Sequence, residues 1–376
     1  MDINIETLNY YVGKAKIPLS ELRISVKNID LFLSGEKQPT FNQLSSIAKK
    51  LNIPTGLLLL DESIEVKSGR LEFRTINSSH LNEMSEELRD TIIEMESKQQ
   101  FLREQIESTL DFIGSCSIED DILSVASKIR DKLQIDKDFK EKISKDNMLK
   151  FLKSKVNNIG VFVFFNGIVG ENTHRALSLA EFRGFVLVDN KAPIIFINQK
   201  DETTNGKVFT LIHELVHLFI GSDEILTEVD AGDYTFDKTE AFVNKVTAEI
   251  LVPNDIFHAT VEELRNSNKN NIVQILAERF KVSEFVIVRR LYDFKFIDRQ
   301  SYLSKTKELT DKFEHFQKNK TKSSSGGDYY NNLRFKVDRR FFSYVQEALQ
   351  QNRISYTEAF RIIGVGFKGY KALVEA

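Results

Sequence analysis

The pattern of apolar and polar positions in this 376-residue chain changes from helical to mixed and back to helical. Residues 1–66 show short apolar repeats at helical spacing, separated by turn-forming residues, which predicts several helices that each bury one face. The apolar positions that carry this pattern are Leu19, Leu22, Ile29, Leu33, Leu44, Ile47 and Leu51. Residues 79–110 contain no Gly or Pro and are rich in Glu, which predicts one polar helix that packs only a thin face.

The central part of the chain alternates between helical and β-type patterns. Helices are predicted over residues 118–157, and β-type apolar runs follow at 160–165, 184–189 and 193–198. Short apolar runs that are bounded by turn-forming residues are typical of buried strands. We therefore expect an α+β domain in the middle of the chain.

Two further helices are predicted after these strands. The segment KVFTLIHELVHLFIG (207–221) is apolar around most of its circumference and ends at Gly221, a residue type that commonly terminates helices. The segment DKTEAFVNKVTAEILV (237–252) stops before Pro253, and more helices are predicted up to residue 316. The pattern as a whole predicts a multidomain, mainly α-helical protein with a central α+β domain.

Composition narrows the class of protein. The net charge of −3 and the hydrophobic content of 41% are ordinary for a soluble protein and give no general attraction to nucleic acid or membranes. The single cysteine, Cys116, excludes an intramolecular disulfide and fits a reducing compartment. The N-terminus lacks a secretory signal pattern, and no apolar run approaches the roughly 20 residues that span a bilayer. We therefore expect a cytoplasmic protein with no membrane partner.

Charge and low complexity mark the C-terminal part. A Lys-, Ser- and Gly-rich stretch predicts a flexible linker, and a basic helical region follows it. Within that region, RISYTEAFRIIGVGFKGYKAL is predicted to form two short helices around Gly364 and Gly366. This pattern is similar to a helix-turn-helix, but the interpretation that we favour is a charged helical surface. The predicted organisation is a small helical domain (residues 1–66), a connector helix (67–117), a central domain (118–316), a flexible linker (317–328) and a basic C-terminal helical region (329–376).

The predicted helix at 207–221 contains the sequence His213-Glu214-Leu215-Val216-His217. Two histidines four residues apart lie on the same side of a helix, so both imidazole rings can bind one metal ion. Imidazole suits Zn²⁺, and a catalytic zinc ion keeps three protein ligands and one open position. Glu214 can accept a proton from water at that position, as the general base of a metallopeptidase. The alternative is that this sequence matches the metallopeptidase motif by chance. In that case two histidines and a glutamate would be buried in an apolar helix without a partner, which is energetically costly.

A third protein ligand is required, and Asp, Glu and His residues after this helix are the candidates. Glu240 is the best placed, near the start of the predicted helix at 237–252 and 23 residues after His217. The alternative is an N-terminal capping pattern of Asp237 and Glu240, in which the glutamate bonds only to backbone amides. The spacing alone leaves both interpretations open.

These segments resemble the ImmA/IrrE family of metallopeptidases, and the resemblance covers most of the chain. It rests on FTLIHELVHLFIG (209–221) and EAFVNKVTAEILVP (240–253). Weaker similarities to the same family occur in LEFRT (71–75), EFRGFVLVD (181–189), APIIFIN (192–198) and the C-terminal part (326–365). The resemblance implies a zincin-like peptidase domain in which Glu240 is the third zinc ligand.

Residues 1–66 are also similar to the helix-turn-helix domains of Cro-type repressors. In such a domain the segment around Lys27 and Asn28 corresponds to the DNA-recognition helix. Residues 1–66 hold seven basic and eight acidic side chains, whereas DNA-binding domains usually carry a basic surface. We therefore expect at most weak DNA binding by this domain, and a docking or packing module is the alternative.

The function that these observations predict is zinc-dependent endopeptidase cleavage of a protein partner. By resemblance, the substrate is a helix-turn-helix repressor or an antitoxin-like regulator of a mobile element or a stress response. One alternative is a DNA- or partner-binding regulator that uses the zinc fold as a sensor or scaffold with little turnover. Another is a toxin–antitoxin component that acts by contact.

Phe196 is expected on an edge strand that holds an extended substrate. Peptide hydrolysis also needs a group that stabilises the oxyanion formed at the scissile carbonyl. The residues whose side-chain type suits this role are His174, Tyr234, Tyr329 and Tyr330.

Overall fold

The computed structural model divides the chain into two compact units, Met1–Arg74 and Thr75–Ala376. The residues that it describes are 3–14, 22–23, 26–51, 55–59, 84–201, 203–221, 225–226, 238–266, 271–318 and 329–375. The predicted LEFRT element at 71–75 and most of the predicted linker at 317–328 lie outside these residues. The finer division of the second unit, into a connector, a peptidase domain and a C-terminal region, stays a prediction.

The first unit is helical in its described part. Its helices are α1 (Ile5–Lys14), α2 (Ile29–Leu33) and α3 (Phe41–Lys50), followed by a 3₁₀ helix at Thr55–Leu59. The apolar positions predicted to face inward and found buried in one core are Leu22, Ile29, Leu44, Ile47 and Leu51. Leu33 packs against this core from its edge, and Leu19 lies outside the described residues. The helical spacing in the sequence is therefore confirmed for this core.

The second unit begins, in its described part, with the long helix α4 (Glu86–Gln105). Ser85 caps this helix, because its hydroxyl accepts a hydrogen bond from the Leu88 amide at 3.1 Å. The helix is shorter at both ends than the predicted helix at 79–110. Its buried side includes Gln99, which donates two hydrogen bonds of 3.0 Å to backbone carbonyls beside the sheet. This polar helix is therefore attached to the central sheet.

Three helices lead from α4 to the sheet. They are α5 (Ile122–Leu133), α6 (Phe139–Lys142) and α7 (Lys145–Asn158). The strands that follow are β1 (Phe162–Asn166), β2 (Ile168–Val169), β3 (Asn172–Ala176), β4 (Gly184–Leu187), β5 (Ile194–Asn198) and β6 (Ile225–Leu226). The three apolar runs predicted to be strands correspond to β1, β4 and β5.

The described strands form a four-stranded sheet in the order β1-β5-β4-β6 and a separate hairpin of β2 and β3. β1 pairs with β5 in parallel, and β4 pairs antiparallel with β5 and β6. β5 therefore lies between two strands, and the prediction that Phe196 lies on an edge strand is wrong. The sequence did not indicate β3, because its residues are mostly exposed and polar, or β6, because it has only two residues.

Helices α8 (Thr204–Ile220) and α9 (Lys238–Leu251) pack against each other, and α8 packs against the sheet. α8 begins after Thr203, whose hydroxyl accepts a hydrogen bond of 3.1 Å from the Gly206 amide. The helix ends at Gly221. Gly221 has a φ of 78°, a left-handed conformation that glycine adopts without strain. Most of α8 is buried, as its apolar sequence predicts.

The rest of the second unit is helical in the described residues. Its helices are α10 (Asn254–Asn266), α11 (Ile272–Phe280), α12 (Glu284–Asp293), α13 (Arg299–Lys318), α14 (Tyr329–Lys336), α15 (Arg339–Gln350), α16 (Tyr356–Ile363) and α17 (Phe367–Val374). None of the helices searched in the described part of the chain has the length and hydrophobicity needed to span a lipid bilayer.

The C-terminal helices cover the outer edge of β1. Asp338, the N-cap of α15, accepts a hydrogen bond of 3.0 Å from the Val163 amide of β1. Phe341 of α15 contacts Phe164 of β1 edge to face, with ring centroids 5.3 Å apart. An edge strand with a satisfied amide and an apolar cover cannot readily pair with another chain. The sheet is therefore closed on the β1 side by this part of the chain.

Candidate metal centre

Helix α8 carries three of the predicted site residues on adjacent turns. His213, Glu214 and His217 are all buried, with at most 1% of each residue exposed. Because His213 and His217 are four positions apart on one helix, their Nε2 atoms face each other, at a distance of 3.1 Å. Two ring nitrogens that point at the same place need a proton or a cation between them. Two histidines in this arrangement can bind one metal ion between them.

Helix α9 brings a carboxylate to the same place. Glu240 Oε1 lies 3.1 Å from His217 Nε2, and Glu240 Oε2 lies 3.4 Å from His213 Nε2. Glu240 belongs to the first turn of α9, and its side chain is 28% exposed, so the site opens to solvent on this side. Asp237, the other residue of the capping alternative, lies outside the described residues. The structure thus brings together the three residues that were predicted to be ligands.

The three donor groups fit a zinc ion with one coordination position left over. Their ligand atoms all lie within 4.8 Å of one another. Two tetrahedral zinc ligands with bond lengths of about 2.0–2.1 Å stand about 3.3 Å apart, close to the separations of 3.1 and 3.4 Å found here. Two imidazoles and one glutamate are also a known donor set of catalytic zinc sites. The site can therefore hold a metal ion, and its identity as zinc stays a prediction.

The electrostatics of Glu240 favour a cation at this place. Burial raises the pKa of its carboxyl group, but hydrogen bonds from His213 and His217 outweigh burial and hold this pKa below its ordinary value. The group is therefore an ionised carboxylate under the conditions in which histidines bind metals. The Phe209 ring packs on the His213 ring, with centroids 6.1 Å apart, and so limits the orientation of this ligand.

The Glu214 carboxylate lies on the side of α8 that faces strand β4. A Cβ atom built on Gly184 of β4 would lie 3.1 Å from Glu214 Oε1 and 2.6 Å from Thr210 Cγ2. Only a glycine lets the β4 backbone pass this close to α8. Sequence reasoning missed this contact, although a glycine within an apolar strand pattern often marks the close approach of another group.

A buried ion pair holds the C-terminal end of α9. Arg290 of α12 donates a hydrogen bond of 2.8 Å to Glu249 Oε2, and both side chains are almost fully buried. Arg130 of α5 donates to the Glu249 carbonyl at 3.1 Å. Removing one partner of a buried pair typically costs about 3–5 kcal/mol, because the other charge stays buried without compensation. The network therefore fixes the position of the helix that carries Glu240. The sequence did not predict this network, because its members are far apart in the chain.

The predicted DNA-contacting residues belong to the first unit. Lys27 and Asn28 are exposed and precede α2, which has only five residues. Arg23 forms hydrogen bonds of 3.0–3.1 Å with Asp30, an acidic residue in the first turn of α2. Arg23, an exposed cation near this helix, is thus paired within the protein. DNA binding by Lys27 and Asn28 stays a prediction.

The structure describes the side chain of one of the four candidates for stabilising an oxyanion. His174 is exposed on β3. Tyr234 lies outside the described residues, as do the side chains of Tyr329 and Tyr330 at the start of α14. In the described part of the chain, His174 is not a member of the cluster formed by His213, His217 and Glu240.

Comparison with protein families assigns the part of the chain that carries this site. Residues 158–292 match the family model Peptidase_M78, which is described as the IrrE N-terminal-like domain. Neither the curated proteins nor the solved structures gave a match. The matched segment contains the whole sheet, both site helices and all four predicted residues of the metal centre. Residues 158–292 therefore carry an IrrE N-terminal-like domain, which supports a metallopeptidase of the ImmA/IrrE type.

Proposed function

We propose that this protein is a cytoplasmic, zinc-dependent endopeptidase that cleaves a helix-turn-helix repressor or an antitoxin-like regulator. The observation that carries the proposal is the convergence of His213, His217 and the Glu240 carboxylate, with Glu214 next to the first ligand. Structural zinc sites usually have four protein ligands, whereas three ligands and an open position are typical of catalytic sites. A site of the second kind, with a buried glutamate beside it, supports peptide hydrolysis.

The chemistry follows from the roles of these side chains. A zinc ion, when bound, polarises the scissile carbonyl group and lowers the pKa of the attacking water. Glu214 accepts a proton from that water and delivers it to the leaving amine. His213, His217 and Glu240 leave an open side at the partly exposed glutamate, where a peptide can approach. Gly184 leaves room for the Glu214 carboxylate, because a Cβ atom at position 184 would lie 3.1 Å from Glu214 Oε1.

The substrate class rests on the family resemblance. In this proposal, cleavage inactivates a transcriptional regulator and so changes the expression of genes of a mobile element or a stress response. Such a regulator acts in the cytoplasm, which fits the expected location of this protein. The substrate is tested most directly with the regulator encoded next to this gene, because an enzyme and its dedicated substrate are often encoded together.

The decisive experiment is the substitution Glu214→Gln. The amide keeps the shape of the side chain but cannot accept a proton from water, so zinc content should stay unchanged. Metal-dependent cleavage of the co-expressed regulator should fall by about 10²- to 10⁴-fold, the usual contribution of a general base. Glu262→Gln, at an exposed position of α10, is the matched control and should leave both zinc content and cleavage unchanged.

The outcome separates the peptidase from the main alternative. If Glu214→Gln keeps its zinc and the full cellular response, the peptidase proposal fails. A regulator that uses the zinc fold as a sensor or scaffold then takes its place. If the purified wild-type protein binds no zinc at all, the proposal fails at its first step.

A further inference from the structure

Helices α16 and α17 form a short helix-turn-helix in the second unit. α16 begins at a capping box of Ser355 and Glu358 and ends at Gly364, whose φ of 85° lies in the left-handed region. Val365 and Gly366 complete a three-residue turn, after which α17 begins. Each helix has eight residues. A three-residue turn with a glycine between two short helices is the arrangement found in helix-turn-helix motifs that bind DNA.

The buried positions of this segment hold the two helices together. They are Ala359, Ile363, Val365, Tyr370 and Leu373. Gly369 allows α17 to pack closely on the turn, since a Cβ atom there would lie 3.0 Å from Val365 Cβ. The ring of Phe360 on α16 packs on Tyr370 of α17, with centroids 5.3 Å apart. The two helices therefore form one compact motif.

The inner side of this motif is attached to the rest of the second unit. α16 packs against α15 and α4, and α17 packs against α14. Arg334 of α14 donates a hydrogen bond of 3.4 Å to the Ala372 carbonyl near the end of α17. Because the inner side is occupied in this way, the opposite side of α17 faces outward.

The outer side of α17 carries an aromatic ring and two cations. Phe367 is 66% exposed, and Lys368 and Lys371 are exposed on the same side of the helix. α17 itself contains no acidic residue, and Glu375 just after it lies 3.7 Å from Lys371 in an exposed pair, which contributes little. Arg361 of α16 is a third exposed cation. This surface is therefore basic, with Phe367 and Val374 as its exposed apolar groups.

A second helix pair in the same unit shows what a covered outer side looks like. α11 and α12 are also joined by a three-residue turn, with Lys281 in the left-handed region at a φ of 51°. There, however, Tyr292 of α12 stacks on Tyr302 of α13 at 4.7 Å, and Arg289 lies over the Tyr302 ring at 5.9 Å. The outer side of α12 thus serves packing within the protein. The corresponding side of α17 remains available for a partner.

We propose that the helix-turn-helix of α16 and α17 binds duplex DNA, with α17 lying in the major groove. The major groove is about 12 Å wide and admits one α-helix. Lys368 and Lys371 supply contacts to phosphates or guanine edges, and Phe367 supplies an apolar contact of the kind made to thymine methyl groups. Residues 329–376 hold eight basic and four acidic side chains, so this region attracts DNA, unlike residues 1–66. The activity is separate from the metal centre and needs no metal.

Fluorescence anisotropy of a labelled duplex of about 20 base pairs, with the full-length protein and EDTA, tests this proposal at salt concentrations from about 50 mM upward. The wild-type protein is expected to bind the duplex, with an affinity that falls as salt rises. Lys368→Ala/Lys371→Ala should weaken binding at least about 10-fold and reduce the slope of log affinity against log salt by about 2. Phe367→Ala should weaken binding several-fold with the slope unchanged, because it removes no charge. All three side chains are exposed, so these variants should fold normally.

The matched control is Lys145→Ala/Lys150→Ala, which removes two exposed lysines from α7 of the same unit. It should leave both affinity and salt slope unchanged. The proposal is overturned if the wild-type protein does not bind the duplex, or if the α17 double variant binds as well as this control. Tighter binding to one strand alone than to the duplex also overturns it, because a single strand has no groove for a helix.

Discussion

Gly184 of β4 lies against Glu214 of α8, and this contact leaves no room for a side chain at position 184. A Cβ atom there would stand 3.1 Å from Glu214 Oε1, 2.9 Å from the Phe196 carbonyl oxygen and 2.6 Å from Thr210 Cγ2. Gly184 is paired on both sides, with β5 and with β6, so its backbone cannot easily move away. The position of the proposed general base is therefore coupled to the sheet through a glycine.

Gly184→Ala is expected to reduce the rate of catalysis more than metal binding. The added methyl group must displace the Glu214 carboxylate, Thr210 or the β4 backbone, and a displacement of about 1 Å in an active site can reduce the rate about 100-fold. None of the three ligand side chains is among the nearest neighbours of this position, so zinc content should stay close to that of the wild type. The measurements are kcat, KM and zinc content on the same preparations.

Gly167→Ala is the control for this substitution, because its new methyl group would meet only the Lys200 side chain, at an ordinary contact distance of 3.5 Å. Gly184→Ala/Thr210→Ala removes the closest clash but leaves the contacts with the Phe196 carbonyl oxygen and with Glu214. If this double variant regains thermal stability but not kcat, Glu214 is the group that has been displaced. A wild-type kcat in Gly184→Ala itself would show that the glycine does not position the base.

Glu240→Ala is expected to remove most of the metal affinity. Even changes to residues behind the ligands cost about 10- to 100-fold in affinity, so loss of a ligand should exceed about 100-fold. The wild-type protein should hold about one zinc ion per chain by elemental analysis. Its thermal midpoint should fall on addition of EDTA, whereas that of Glu240→Ala should hardly change, because metal stabilises only a protein that binds it. An unchanged zinc affinity in Glu240→Ala would remove this residue from the site.

Asp338→Ala is expected to destabilise the second unit by about 2–4 kcal/mol. The substitution removes the N-cap of α15, worth about 1 kcal/mol, and leaves the buried Val163 amide without its acceptor, which costs about 1–3 kcal/mol. Asp121→Ala removes only an exposed N-cap, on α5, and should cost about 1 kcal/mol. Urea titrations followed by circular dichroism compare the two. Equal losses would show that the bond to β1 adds nothing.

Lys153 is expected to make stability rise with pH in the alkaline range. Burial lowers the pKa of its ammonium group to about 8, whereas a lysine in the unfolded chain titrates near about 10.4. Between these pH values the unfolded state binds more protons, so the free energy of unfolding increases as pH rises, by up to about 3 kcal/mol. Lys153→Met keeps the apolar stem beside the Phe165 and Phe335 rings and should remove this increase.

Urea titrations at several pH values between 7.5 and 10.5 measure the effect of Lys153 as the difference between the variant and the wild type. Lys150→Met, at an exposed position of the same helix, should keep the wild-type pH dependence. A pH dependence that is the same in all three proteins would contradict the prediction.

The sequence alone determined the features that depend on neighbouring residues. The separation of His213 and His217 places two rings on one side of any helix, so the metal pair followed from helical periodicity. Gly221 and Gly364 ended helices where the sequence predicted, because a left-handed residue is a local requirement. The two short helices near the C-terminus were predicted for the same reason.

Only the tertiary structure decided which distant residues meet. A separation of 23 positions in the sequence does not determine the distance between His217 and Glu240, so the packing of α9 on α8 was needed to bring the carboxylate to the two rings. An apolar run shows that a strand is buried but not which strands lie beside it, and Phe196 was therefore assigned to the wrong part of the sheet. The contact of Gly184 with Glu214 joins a strand and a helix that are far apart in the chain. Its physical cause is the close packing of the two elements, and the glycine in the strand pattern indicates a close approach but not which group approaches.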